Sequence, residues 1–237
     1  MTVRHARSGA RDRIAEFLTA AQLGDSALPI GRFAHSNGAE QWLSSHPAAT
    51  DAEFDEFVRC TVVEGVAPLD GVATAAAHAC RTEGELARLD RELSARKLAP
   101  AARAASQSCG RQLLALSLTL ADDPLTTALD RQVRGGGCPG NLAVVEGHLS
   151  RSLGIGVDLA VALSLRGSLA AMFSAAVRLG RMAPSRAQAM MMAAVPGMAL
   201  AAGQAAASEW EEAHSSAPVS DLPMLAHQSG EGRIFAS

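Results

Sequence analysis

Asp25, His35 and Ser36 are the residues of this chain whose types come nearest to a reactive centre. A serine nucleophile, an imidazole base and an orienting carboxylate would together make a hydrolase. Their spacing argues against it. His35 and Ser36 are neighbours, and neighbours on a helix point about 100° apart. No oxyanion-stabilising group can be read beside them, and there is no Gly-x-Ser-x-Gly. Ser36 fits better as the cap of a short helix over 36–44, its hydroxyl taking a free amide. A hydrolase using His35 and Ser36 is the least favoured reading.

His35 could instead hold a metal. A lone histidine is more often a hydrogen-bonded structural or interface residue. His46, His78, His148 and His214 have no ligand spacing with one another, and there is no His-Glu-x-x-His. Met190, Met191 and Met192 are consecutive, so on a helix they point different ways and fill core or interface space. Cys60, Cys80, Cys109 and Cys138 form no Cys-x-x-Cys pair, which predicts free thiols in a reducing compartment. The Gly135 to Gly140 run has no lysine and follows no strand pattern, so it is no P-loop. The expectation is no catalytic residue, no metal site and no bound cofactor.

The segment from Gly24 to Glu40 still stands apart from its alanine- and leucine-rich surroundings. Glycine and proline set its path, and polar side chains lie along that path. It is either a fold-defining turn or a shaped contact surface.

The elements around it are helical. Ile14, Phe17 and Leu18 form a first apolar stripe. Thr50 with Glu53 and Thr82 with Glu85 have capping-box spacing. Phe54, Phe57, Val58 and Val62 then share one helix face, and so do Leu86, Leu89 and Leu93. A longer helix over 101–120 turns Leu113, Leu116 and Leu120 inward. Asp123-Pro124 starts a shorter one, and the 135–140 glycines break the pattern. Helices follow over 142–153, 158–179 and 184–208, the last kinked or split at Pro196, which has no amide hydrogen. Strand alternation hardly occurs. The chain is expected to be all-α: a flexible terminus over 1–12, one helical domain of about eight to ten helices over 13–214, and a polar tail over 215–237.

Composition agrees. Of the 237 residues, 48% are hydrophobic but only 3% aromatic, with no tyrosine. Such a core must be built from Ala, Leu, Val and Met, which suits closely spaced helices. A net charge of −3 with no basic block makes nucleic-acid binding unexpected. The longest apolar run, 189–203, is interrupted at Pro196 and Gly197 and falls short of the roughly 20 residues of a membrane span. No signal-like segment opens the chain, so a cytoplasmic protein off the membrane is expected.

Three stretches carry a family resemblance. Asp25-Ser26-Ala27-Leu28-Pro29-Ile30-Gly31, then Phe33-Ala34-His35-Ser36, Gly38 and Glu40, resembles the signature of the urease accessory protein F (UreF) family. Ala175 to Gly180, with Gln188 beyond, is similar to the family's Ala-Val-Arg-Leu segment. Pro218, Asp221, Met224, His227, Arg233-Ile234-Phe235 and Ser237 resemble its C-terminal tail. The chain departs from the family pattern around Asn141, at Arg181 to Pro184, at Gln228 and at Ala236.

The resemblance implies an all-α, dimeric, non-enzymatic assembly factor. It would bridge UreD (also called UreH) and the GTPase UreG on apo-urease while nickel is inserted, with nickel passing through the complex. A helical scaffold outside the urease pathway is the alternative. Two contact surfaces are expected. The loop offers Gly31, Phe33, His35, Ser36 and Glu40. The tail offers Arg233, Ile234 and Phe235 for docking, with His227 fixing it, unless the tail packs on its own domain. Arg178 is either a helix-bridging arginine or a partner contact.

Overall fold

Capping and periodicity place most of the helices where the sequence predicts them. The computed structural model describes residues 2–216 and Phe235. The first helix, α1, spans Thr2–Leu23, and the loop after it leads to a short 3₁₀ turn, Arg32–Ala34. Helix α2 is Ala39–Ser45 and α3 is Asp51–Cys60. A π-helical segment, Thr61–Gly71, joins α3 directly to α4, Val72–Ala79. Then come α5 (Glu83–Arg96), α6 (Pro100–Leu120), α7 (Pro124–Arg134) and α8 (Leu142–Ser152). Helices α9 (Val157–Arg178), α10 (Pro184–Ala193) and α11 (Val195–Ala207) complete the bundle, before a 3₁₀ turn at Trp210–Glu212. With α3, the π segment and α4 running on as one rod, the described residues form ten helices and no strand.

Both capping boxes are present: Thr50 and Thr82 each accept a backbone N–H from the glutamate three residues on, which reaches back in turn. Asp123 accepts the Leu125 N–H at 2.9 Å, with Pro124 in the first turn of α7. Helices α10 and α11 meet at a 50° bend beside Pro196. The four cysteines are free thiols, with Cys109 and Cys138 buried.

Helix α9 is the hub. Among the described residues it alone is long and apolar enough to cross a membrane. Here it is packed against α2, α4, α8, α10, α11 and the π segment. Its Val161, Leu165, Leu169, Met172 and Phe173 are at most 2% exposed, each contributing roughly 1.5–3 kcal/mol by leaving water. The few aromatics, scattered in sequence, gather in space. Trp42 stacks on Phe57 with centroids 4.8 Å apart, and Phe54 meets Phe173 edge-on at 5.8 Å.

The π segment has a local cause. Pro68 lies inside it and has no N–H for the ladder. The carbonyl of Glu64, four residues back, therefore takes no α-type bond from residue 68, and a donor from outside the segment also reaches it. Ser216 supplies it through its backbone N–H at 3.0 Å, and His214 N–H bonds Pro68 O at 3.1 Å. Thr61 and Thr74 bond carbonyls four residues back at either end.

Several expectations need correction. The first helix reaches further back than its apolar stripe, to Thr2; apart from Gly9, residues 2–12 contain no strong helix breaker. Ile14, Phe17 and Leu18 do share a face, but each is at least 60% exposed. Periodicity reports a shared face, not what covers it. Leu120 is 39% exposed because α6 runs past the core there, while Leu113 is buried. Ser36 does not cap α2. The cap is Gly38, in the left-handed region at φ 84°, with no side-chain bond.

Candidate functional site

The signature segment leaves α1 through a series of small turns. Asp25 Oδ1 accepts the Ala27 N–H at 2.8 Å, spending its carboxylate on the local backbone. Ile30 is 4% exposed and drops into the core. Gly31 follows at φ 74°, a left-handed conformation that other residues adopt only with strain, and opens the Arg32–Ala34 turn. Asn37 and Gly38 are also left-handed, at φ 50° and 84°, and turn the chain into α2. Ala39 N–H closes that corner on Ser36 O at 3.1 Å.

An ion pair roots the loop. The Arg32 guanidinium crosses Gly167 of α9 to reach Glu146 of α8. A Cβ at residue 167 would overlap the Arg32 head, which would have to move aside. Glu146 Oε2 is buried with no hydrogen-bond partner.

The two side chains line two spaces. One is an open groove of about 930 Å³ between α1, the loop, α9 and α10, with Phe17, Leu28, Leu163 and Met191 on its walls. The other is a polar cavity of about 220 Å³ that includes His35, Asn37, Asp70, Lys97 and Ser106. Burial pushes the His35 imidazole below its ordinary range, which favours the neutral ring. Lys97 Nζ holds both Asp70 oxygens at 2.6 Å on the cavity wall.

A second tether joins the loop to the far end of the chain. At the C-terminal end of α9, Arg178 Nη2 donates to the Phe33 carbonyl. The same guanidinium lies over the Phe235 ring, 4.1 Å from its centroid. Phe235 is 4% exposed, and its N–H donates to Glu40 Oε2 at 3.3 Å.

Seven of the ten expected site residues therefore lie in one region: Gly31, Phe33, His35, Ser36, Glu40, Arg178 and Phe235. Ser36 and Glu40 are buried, at 0% and 7% exposure, while Arg178 is exposed. Phe235 is seated on its own chain. His227, Arg233 and Ile234 lie outside the described residues. With Ser36 buried and Asp25 capping its own turn, Asp25, His35 and Ser36 present no open nucleophilic centre. Among the described residues, no three His, Cys, Asp or Glu side chains gather in a way that could hold a metal ion.

Sequence reasoning missed Arg32, Glu146 and Gly167. They lie far apart along the chain and match no motif. The one available signal was Arg32 itself, a charged residue two positions from the apolar Ile30, which needs a carboxylate from elsewhere if it is drawn inward. Gln228 and Ala236, two departures from the family pattern, lie outside the described residues; the others have internal roles. Asn141 is fully buried and donates to Asp90 from its backbone N–H and its Nδ2, both at 2.7 Å. Arg181 donates to the carbonyls of Leu43, His46 and Pro47 at 2.9–3.1 Å, closing the C-terminal end of α2. Pro184 takes the first position of α10, where its missing N–H costs nothing.

Comparison with known proteins fits this arrangement. The UreF family model matches residues 48–195, more than half of the chain. Urease accessory protein UreF of Corynebacterium glutamicum (strain R) is 28% identical over 229 residues, covering 95% of this chain and 100% of that protein. Urease accessory protein UreF 2 of Brucella canis is 30% identical over 217 residues, covering 90% and 89%. With the family model covering more than half of the chain and these relatives covering most of it, this chain belongs to the UreF family.

Proposed function

We propose that this chain is an assembly factor for urease. In this reading it bridges UreD/UreH and UreG, and presents them to apo-urease for nickel insertion. It works as a cytoplasmic homodimer and makes no bond in the reaction itself. Nickel is the cargo of the complex rather than a resident of this chain. Family membership carries the proposal, since the matched relatives are named as urease accessory proteins. The site supports it in kind: the loop, Arg178 and Phe235 are joined in one region.

The partner surface comprises the loop around Gly31, Phe33 and Glu40, the Arg178 head, and the tail with His227, Arg233 and Ile234. His35 and Ser36 hold the loop in shape from beneath. Co-purification with the cognate UreD and UreG tests this, comparing the full chain with one ending at Ser220. The full chain is expected to capture both proteins and the shortened one to lose capture. If neither captures UreD, bridging is wrong. Equal capture by both would remove the tail from the surface.

A further inference from the structure

Arg178 makes two contacts at once, and the planarity of its head allows it. A guanidinium donates hydrogen bonds from its edge and stacks on aromatic rings with its face. Here the edge takes the Phe33 carbonyl while the face covers Phe235. Phe235 in turn gives its N–H to Glu40. The contacts close a circuit from Phe33 through Arg178 and Phe235 to Glu40, returning to the chain seven residues from its start. Inside the circuit lie Asn37 and Gly38, the two left-handed residues at the corner.

The energetic logic is local. Arg178 is exposed, and a long exposed side chain loses rotamer freedom when it is held in one geometry. Contact with a ring on one face helps hold it there, and Phe235 is that ring. Without it, the bond to Phe33 is one exposed arginine contact competing with water. The C-terminal end of the circuit therefore determines how firmly its loop end is held.

We propose that Arg178 is a positioning residue for the loop surface, and that it holds the loop only while Phe235 is seated against it. Phe235 acts on the loop through Arg178 rather than by entering a partner. Of the two roles left open by the sequence, the proposal gives Arg178 that of a bridge within its own chain, whose exposed side remains part of the loop surface. The proposal rests on the loop being a partner surface as far as its consequence for binding is concerned, but the positioning itself does not.

Amide hydrogen exchange on the full chain is the test, read at Ala34 and His35, whose N–H groups close the 3₁₀ turn on Gly31 and Arg32. Phe235→Ala and Arg178→Gln should each speed exchange at these amides about ten-fold. The double variant should exchange no faster than either single one, because both remove the same tether. Phe235→Leu keeps an apolar side chain without a ring and should behave as Phe235→Ala does; Phe235→Trp should restore protection. Amides in α8, such as Val145, should be unchanged in all variants. Unchanged exchange at Ala34 and His35, additive effects in the double variant, or full protection in Phe235→Leu would each overturn the proposal.

Capture of UreD by the same variants separates the two ideas. Faster loop exchange with capture intact leaves Arg178 a positioning residue and removes the loop from the partner surface. Capture lost with loop exchange unchanged refutes the positioning role, since the tail would then bind directly.

Discussion

Gly167→Ala should destabilise the protein, although alanine is the better helix former. Residue 167 lies inside α9, where replacing glycine by alanine ordinarily stabilises by about 1 kcal/mol. Here the added methyl would occupy the position of the Arg32 head. Arg32 would have to withdraw, leaving Glu146 with a side chain only 15% exposed and one oxygen already unpartnered. Removing one member of a buried ion pair costs about 3–5 kcal/mol. A charged hydrogen bond in a less buried place is worth about 1.5–3 kcal/mol. This pair, 16% and 15% exposed, falls between these limits, at about 3 kcal/mol. Subtracting the helix gain leaves a net loss of about 2 kcal/mol. For a chain of this size that lowers Tm by roughly 4–8 °C.

Urea denaturation of wild type, Gly167→Ala, Arg32→Ala and the double variant completes a cycle. With Arg32 already shortened, Gly167→Ala has nothing to displace and should stabilise by about 1 kcal/mol. The sign of the alanine substitution therefore reverses with the residue at position 32. If Gly167→Ala is stabilising in both backgrounds, the Arg32 path across α9 is wrong, and with it the rooting of the loop on Glu146.

Three further outcomes are expected. Asp90→Ala should cost about 3–5 kcal/mol in urea denaturation, because the buried Gly140 and Asn141 N–H groups, at 2.5 and 2.7 Å, lose their acceptor. His148 is fully buried against Thr126, near Asp123 and Arg151, and burial pushes its imidazole below the ordinary value of 6.5. The unfolded chain then binds this proton more readily, so its contribution is complete above about pH 6.5 and is lost as pH falls through the lowered folded value. Replacing His148 with Gln should flatten that part of the stability curve between pH 7 and pH 5, and an unchanged slope would refute the assignment. Arg181→Ala should cost about 1–2 kcal/mol and speed exchange of the His46 amide, since three carbonyls at the end of α2 lose their donor.

The helices were legible in the sequence because their signals are local. The Thr50 and Thr82 capping boxes, the Asp123-Pro124 start and the Pro196 break each act within one turn of chain. The convergence of the candidate surface was only half legible. The motif brought Gly31 to Glu40 together by contiguity, but nothing in it placed Arg178 on Phe33 or Phe235 on Glu40. Those contacts join residues more than 140 positions apart. The α1 stripe misled for a related reason. Ile14, Phe17 and Leu18 have core-like spacing, yet spacing says nothing of whether a second element lies opposite. The Thr61–Gly71 π segment was invisible because Pro68 predicts a disturbed ladder without predicting how the ladder reorganises.

That segment has a consequence for how this fold can change in length. A π-helix winds its chain with hydrogen bonds one residue longer than those of an α-helix, so an insertion is one way for such a segment to arise. Deleting a single residue between Thr61 and Gly71 would leave every neighbouring side chain chemically intact. The wider π turns would tighten toward α-helical ones and take up the lost residue, so that Val72, Ala73 and Ala77 keep the core positions they now fill. Through this stretch the register of the helix beyond is held more tightly than the number of residues before it.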